Sequence, residues 1–227
     1  MSTSELPRAV SDYQTRFAST WPGDASPQAV RFVVLDCETT GLDPRRDRIV
    51  SIGAVAVSEA QIILADGFEA LLKVSYNTAA TLVHGITREE TLDALDEREA
   101  LLGFLDYLRD GVIVGHHINH DLAMLDAACE RQFGMHLKNR HLDTMGLTLH
   151  LQRDGAFAPE PPIAGFSLDA LCEHFGVVPY DRHTAAGDAF LTAQVFLRLL
   201  RRAERCERAT LNALTEPFDP EEDRGIP

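Results

Sequence analysis

The sequence is short of cysteine, of long apolar runs and of signal-like segments. Its cysteines contain no Cys-x-x-Cys pair, which argues against a thiolate zinc site or a disulfide framework; they are Cys37, Cys129, Cys172 and Cys206. We expect them to be reduced and to lie in or near the core. No apolar stretch is long enough to span a membrane, and residues 1–19 lack the apolar core of a signal peptide. We therefore expect a cytoplasmic protein with no membrane partner.

Positive charge is also scarce. The chain has 21 Lys and Arg residues against 35 Asp and Glu residues, which gives a formal net charge of −14. Proteins that hold nucleic acid over a broad area normally need a basic surface, so the charge argues against this mode of binding. A small cleft that holds a strand end through metal ions is compatible with the charge. Intrinsic affinity would then be weak, or a partner such as a polymerase would deliver the substrate.

The chain has 227 residues, which is enough for one sizeable domain or for one domain with extensions. An unbroken apolar run from residue 31 into a Thr-Gly turn predicts a first strand. Residues 48–57 predict an interior strand, because both of its faces are apolar, and residues 61–74 predict a third. Strands followed by helices, with a further strand at Val112–Gly115, predict an α/β fold with a mixed sheet.

Helices are predicted from caps and apolar periodicity. They are expected at residues 96–109, 119–133, 144–152, 167–175 and 184–205. In the last of them, apolar residues step by four and three and predict the face that packs on the core: Ala186, Phe190, Ala193, Leu197 and Leu200.

Two acidic residues stand one position apart at the end of the first predicted strand. Because side chains alternate along a strand, Asp36 and Glu38 point the same way and Cys37 points back. Adjacent carboxylates repel each other, and one stays protonated unless a cation lies between them. The pair therefore predicts a site for a hard divalent metal such as Mg²⁺ or Mn²⁺. Taken alone, it also fits a solvated strand end.

Two later segments offer further acidic residues. Asp121 follows a short buried strand and opens a helix, where the helix dipole keeps a carboxylate ionised; alone, it also fits a helix cap. His183 and Asp188 are five residues apart, so within one straight helix they would diverge by about 140°. They can converge if His183 lies in the loop before the helix and Asp188 lies in its first turns.

The order of these residues resembles the motifs of the DEDD superfamily of 3′–5′ exonucleases, His subtype. That family includes the proofreading epsilon subunit of bacterial replicative polymerase. The resemblance covers roughly residues 31–200. The three motifs are matched by Asp36-x-Glu38-Thr39-Thr40-Gly41, by Asp121, and by His183-x-Ala185-x-x-Asp188. In addition, His84-Gly85-Ile86-Thr87 matches a segment that the family uses beside its substrate.

The resemblance implies a ribonuclease H-like mixed sheet flanked by helices, and a metal-dependent exonuclease. Such an enzyme releases nucleoside 5′-monophosphates from the 3′ end of a single strand, with DNA favoured over RNA. Two divalent ions, Mg²⁺ or Mn²⁺, would be held by four carboxylates: Asp36, Glu38, Asp121 and Asp188. His183 would take the proton from the attacking water. Substrate contacts would come from Thr39, Thr40, Gly41, His84, His117 and His120.

Turn signals and composition divide the chain into a domain and two extensions. We expect the exonuclease domain to occupy residues 31–207. Residues 1–30 would form an N-terminal extension that includes a short amphipathic helix. Residues 208–227 would form a flexible acidic tail.

The second motif departs from the family pattern, since His117 and His120 stand where Asn and Phe are common. This leaves the preferred substrate open, and an RNA-directed oligonucleotide exonuclease is one alternative. The His120-Asp121 doublet also suggests an HD-type metal phosphohydrolase acting on nucleotides. Enzymes of that type are all-helical and use imidazole ligands, which the strand-rich opening disfavours. A non-catalytic module with the same fold is disfavoured because all four acids are present.

Overall fold

The structure is a computed structural model that describes residues 6–17, 21–75, 78–158, 163 and 165–218. Within these residues a five-stranded sheet has the order β3-β2-β1-β4-β5. Its strands are β1 (Phe32–Thr39), β2 (Ile49–Ser58), β3 (Gln61–Leu71), β4 (Val112–Gly115) and β5 (His141–Asp143). The first three strands pair antiparallel, whereas β4 runs parallel to β1 and β5 runs parallel to β4. The sheet is therefore mixed, as predicted.

Helices cover both faces of the sheet and bury a separate apolar cluster on each. One face is covered by α1 (Arg8–Arg16), α3 (Glu97–Leu108) and α4 (Asn119–Phe133). The other is covered by α5 (Thr144–Arg153), α6 (Leu168–Phe175), α7 (Ala185–Arg205) and α8 (Leu211–Leu214). A one-turn helix, α2 (Thr81–His84), lies between β3 and α3 in the chain. This arrangement confirms the predicted α/β class.

The side chains of β1 alternate between these two clusters. Phe32 and Val34 pack on the α7 side, where the rings of Phe32 and Phe196 meet edge to face at 5.0 Å between centroids. Val33 and Leu35 pack on the opposite side. The alternation continues to the end of the strand, so its acidic residues lie on the face that α7 covers.

The register of β2 brings α7 against the sheet next to these acidic residues. Gly53 is the cross-strand partner of Asp36, and a Cβ at Gly53 would lie 2.3 Å from the backbone of Ala185 and Ala186. No side chain fits there without moving the first turn of α7. The glycine therefore sets how closely α7 approaches β1.

Gly53→Ala should lower the free energy of unfolding by about 1–3 kcal/mol, because the added methyl group overpacks a rigid backbone contact. Denaturant titration measures the change. Gly103→Ala is the matched control: its new Cβ would meet only the Phe68 ring at 3.5 Å, within helix α3. There, alanine should stabilise by about 1 kcal/mol through helix propensity. Equal effects at both positions would contradict the role given to Gly53.

The structure corrects two details of the sequence analysis. Strand β5 was not predicted, because three residues are too short for a recognisable pattern. The predicted core face of α7 was wrong at Phe190, which is 38% exposed. Leu191, Val195 and Leu199 are buried there, because α7 packs against the sheet and against α5 and α6.

Residues on both sides of the predicted exonuclease domain pack on it. In α1, Tyr13 is buried, and its hydroxyl accepts a hydrogen bond from Lys138 N (2.8 Å). In α8, Leu211 is buried, and its backbone N–H donates to Ala25 O (3.0 Å). The division at residues 31 and 207 remains a prediction, and residues 219–227 of the predicted tail lie outside the described residues.

Two expectations from composition concern cysteines and membranes. Cys37, Cys129 and Cys172 are buried and Cys206 is partly buried, which agrees with the predicted place in or near the core. In the described part of the chain, no helix combines the length and apolarity needed to cross a membrane.

Candidate active site

Three carboxylates meet where β1 ends and α7 begins. Asp36 and Glu38 project from the α7 side of β1, and Asp188 lies in the first turn of α7. One oxygen from each carboxylate lies within 4.8 Å of the other two. The donors are all carboxylate oxygens, which hard divalent cations prefer, so the residues fit the metal that the sequence predicts.

At the start of α7, His183 lies before the helix and Asp188 lies in its first turn, which is the arrangement that their five-residue spacing requires if they are to converge. Thr184 is the N-cap, and its Oγ1 accepts a hydrogen bond from Gly187 N (3.1 Å). His183 precedes the cap with a φ of 62°, so the chain turns sharply before the helix. The backbone N–H of His183 donates to Asp188 Oδ2 (3.3 Å), and His183 is an exposed residue.

Asp121 reaches the same strand from the other side of the sheet. It lies in the first turn of α4, and its Oδ1 accepts a hydrogen bond from Cys37 N (2.8 Å). Strand β4 pairs with β1 only as far as Val34, so β4 offers no partner to the Cys37 N–H. Asp121 therefore adjoins the three-carboxylate cluster without sharing its 4.8 Å spacing.

Crowding and burial shift the protonation of these acidic side chains. Burial, and then the charges of Asp121, Glu38 and Asp188, raise the pKa of Asp36 well above its ordinary value. Burial and the charge of Asp188 raise the pKa of Glu38 to about 7. Burial also raises the pKa of Asp121 to about 7, against the opposing effect of the Cys37 N–H. Full ionisation of the cluster is therefore unfavourable at neutral pH, and a cation bound among the carboxylates would relieve the repulsion.

Divalent metal should raise the melting temperature more at high pH than at low pH. A carboxyl with a raised pKa binds its proton more tightly when folded, so stability falls as pH rises from about 4 to about 7. Above that range the carboxylates have lost their protons, and a bound metal ion would neutralise their charge instead. The measurement is the melting temperature with Mn²⁺ minus that with EDTA, between about pH 5 and about pH 8. Taking this difference cancels the effect of pH on titratable groups outside the site. A difference that does not change with pH would contradict a preformed metal site.

Two predicted substrate residues, Thr39 and His120, are in contact. Thr39 Oγ1 lies 3.4 Å from His120 Nε2 and donates to Gly41 O (2.9 Å). Thr40 is used inside the turn, where its Oγ1 donates to Asp47 Oδ1 (3.1 Å). A Cβ at Gly41 would lie 2.5 Å from the Asp47 carboxylate, so a side chain there would displace a group that Thr40 Oγ1 and Asp43 N hold. The turn that follows β1 is thus held rigidly beside the acidic residues.

The predicted His84 lies in a neighbouring cleft of about 570 Å³. His84 is buried, and its Nδ1 accepts a hydrogen bond from Ile86 N (3.0 Å). Its Nε2 and the Oγ of Ser51 have no hydrogen-bond partner among the described residues. Ser51 is the cross-strand partner of Glu38, so the cleft opens beside the carboxylate cluster. The cleft is lined by Ser51, Glu69, Ala70, Leu71, His84, Gly85, Ile86, Glu90, Thr184 and Ala185.

His117 lies in the loop between β4 and α4 and is exposed. Its ring contacts that of His116, with 4.5 Å between centroids. Burial, and then the charge of His117, lower the pKa of His116 to about 4, while His116 Nδ1 lies 2.9 Å from Thr144 Oγ1. The structure thus pairs His117 with a neutral histidine rather than with the carboxylate cluster.

Sequence analysis missed a basic residue inside the cluster. Arg182 donates a hydrogen bond from Nη1 to Asp188 Oδ1 and a second from Nε to Asp169 Oδ1 (2.7 Å). Asp169 lies in the first turn of α6, 13 residues before Arg182 in the chain. The only signal in the sequence is that Arg182 immediately precedes the predicted base.

Comparison with known proteins agrees with this geometry. A family model described as an exonuclease, RNase_T, matches residues 33–196. A PolC-type DNA polymerase III of Thermotoga petrophila is 35% identical over 179 residues, covering 78% of this chain and 12% of that protein. The epsilon subunit of DNA polymerase III from Aquifex aeolicus is 28% identical over 171 residues, covering 74% of this chain and 80% of that protein.

A solved structure supports the fold assignment. Escherichia coli exonuclease I, crystallised with a dT13 oligonucleotide, matches with a TM-score of 0.66 and 20% identity, over 78% of this chain and 42% of that chain. The chain spans only about an eighth of the PolC relatives that it matches, at 12% of their length. Because the family model matches most of its length, the chain belongs to this exonuclease family, which confirms the resemblance to the DEDD exonucleases.

Proposed function

We propose that the protein is a metal-dependent 3′–5′ exonuclease that releases nucleoside 5′-monophosphates from single-stranded nucleic acid. The observation that carries the proposal is the convergence of Asp36, Glu38 and Asp188 within 4.8 Å on an exonuclease-family fold. Their shared oxygen chemistry suits Mg²⁺ or Mn²⁺. Asp121 would add a fourth carboxylate from the α4 side.

Two divalent ions bound among these carboxylates would lower the pKa of an attacking water and stabilise the leaving 3′ oxygen. The protein itself supplies the positioning. Asp36 and Glu38 are fixed by the pairing of β1 with β2, and Asp188 is fixed by the capped start of α7. His183, on the loop before that cap, is the proposed proton acceptor.

The proposed substrate is the 3′ end of a DNA strand. Two observations support it: relatives are named as DNA polymerase III proteins, and a fold neighbour was crystallised with an oligonucleotide. The terminal nucleotide would lie between the Thr39–Gly41 turn and the cleft that His84 lines. With a net charge of −14, the chain has little general attraction for phosphate. A polymerase that presents the strand end is therefore the proposed partner.

The test is a digest of a 5′-labelled single strand with Mg²⁺ or Mn²⁺, using DNA and RNA of matched sequence. We expect a ladder that shortens from the 3′ end, release of 5′-mononucleotides, and faster cleavage of DNA. A strand blocked by a 3′-phosphorothioate linkage serves as the control for direction. Phosphate release from free nucleotides without a ladder would instead favour the HD-type phosphohydrolase. Faster cleavage of RNA would overturn the substrate assignment alone.

A further inference from the structure

Arg182 places a positive charge within the carboxylate cluster. Its side chain is 21% exposed and bridges two helices. Nε and Nη2 donate to the two oxygens of Asp169 at 2.7 and 3.3 Å, and Nη1 donates to Asp188 Oδ1. The guanidinium is thus held in a fork by α6 while its remaining end reaches the first turn of α7.

Both oxygens of Asp188 are already engaged by the protein. Oδ1 accepts from Arg182, and Oδ2 accepts from the backbone N–H of His183 (3.3 Å). A guanidinium keeps its proton at any ordinary pH, so it cannot yield by deprotonation. A carboxylate oxygen has two lone pairs, so a divalent ion that uses Asp188 Oδ1 as a ligand either shares this oxygen with Arg182 or displaces Arg182 from it; in both cases two positive charges compete for one oxygen.

The same contact offsets repulsion before a metal binds. Arg182 contacts Asp188, and an oxygen of Asp188 lies within 4.8 Å of oxygens of Asp36 and Glu38, so the positive charge lies beside all three carboxylates and offsets their repulsion. The fork to Asp169 uses different nitrogens from the contact to Asp188. Arg182 can release Asp188 and remain paired with Asp169.

We propose that Arg182 is a positioning residue that holds Asp188 ready in the metal-free site and competes with the catalytic cations for its carboxylate. This inference rests on the proposed function, because it requires that the cluster bind divalent metal. It adds that the metal-free site contains its own counter-charge, anchored by Asp169. Arg182 therefore lowers the affinity of the site for metal and raises the stability of the metal-free protein.

Arg182→Gln tests both effects through Mn²⁺ binding measured by calorimetry without substrate, and through melting in EDTA. We expect Mn²⁺ to bind on the order of tenfold more tightly, because a charge-assisted hydrogen bond no longer competes. The melting temperature in EDTA should fall. Arg201→Gln is the matched control, since it removes the same charge from an exposed position near the other end of α7. It should change neither quantity.

A purely structural role for Arg182 predicts a different change in Mn²⁺ affinity. Arg182→Gln would then lower the melting temperature and leave Mn²⁺ affinity unchanged or weaker, which would overturn the inference. If Arg182→Gln does not fold, Arg182→Lys keeps the charge without the fork and should still bind Mn²⁺ more tightly than wild type; equal affinity would overturn the inference. Absence of Mn²⁺ binding by folded wild-type protein would overturn the proposed metal site and this inference with it. Normal wild-type binding without tightening in either variant removes only the role of Arg182.

Discussion

Asp36→Asn should abolish cleavage from the 3′ end and at the same time stabilise the metal-free protein. The amide is a poor ligand for a hard cation, and losing several kcal/mol of transition-state stabilisation corresponds to a rate loss of about 10³-fold or more. Stability should rise because Asp36 is crowded by Asp121, Glu38 and Asp188. The two measurements are the rate of shortening of a 5′-labelled strand and the melting temperature in EDTA.

The opposite signs of the two effects make this prediction specific. A residue that only supports the fold would lose activity and stability together. Asp106→Asn is the control, because Asp106 is an exposed acidic residue of α3. It should alter neither rate nor melting temperature. Retained cleavage in Asp36→Asn would remove Asp36 from the proposed metal site.

His183→Asn should lower the maximal rate by about 10²- to 10⁴-fold, the usual contribution of a general base. The Michaelis constant should change little, because the imidazole would act on the attacking water rather than hold the strand. Asparagine is chosen since His183 has a φ of 62°, a backbone conformation that asparagine tolerates. The backbone N–H that donates to Asp188 is retained. Steady-state kinetics on a labelled oligonucleotide separate the two constants.

Two further variants distinguish a base from a structural residue. His183→Gly also suits the positive φ, and added imidazole should restore part of its activity if a proton acceptor is what was lost. His117→Asn changes a histidine with a similar φ of 57° at a predicted substrate contact. It should raise the Michaelis constant more than it lowers the maximal rate. The base role would be contradicted if His183→Asn raised the Michaelis constant by as large a factor as it lowered the maximal rate, and if imidazole restored no activity to His183→Gly.

The parts of the fold that could be predicted are those whose pattern is local. Strand β1 is an unbroken apolar run that ends in a Thr-Gly turn, and the structure puts Asp36 and Glu38 on one face of it. Residues 119–133 form α4 as predicted, and Gly134 ends the helix with a φ of 65°. The packing face of α7 was not predictable from one stripe, because this helix is apolar over more than one side and only the tertiary contacts select the phase.

The candidate site likewise has features that could be predicted from the sequence and features that depend on tertiary contacts. That His183 precedes the helix cap while Asp188 lies in the first turn follows from a spacing that allows them to converge only there. The offset of Asp121 was not predictable, because it depends on β4 pairing with β1 only as far as Val34. The fork between Arg182 and Asp169 joins two helices across a loop. No periodicity in the sequence predicts the contact between Arg182 and Asp169.

The hydrogen bond from Leu211 to Ala25 has a practical consequence for anyone who shortens the gene. It ties a segment before β1 to one after α7, and Asn212 N likewise donates to Gly23 O (2.8 Å). A fragment trimmed to residues 31–207 would lose both segments and leave apolar surface open to water on each side of the sheet. We expect such a fragment to precipitate during purification. Affinity tags are therefore better joined outside residues 6 and 218 than at the motif boundaries.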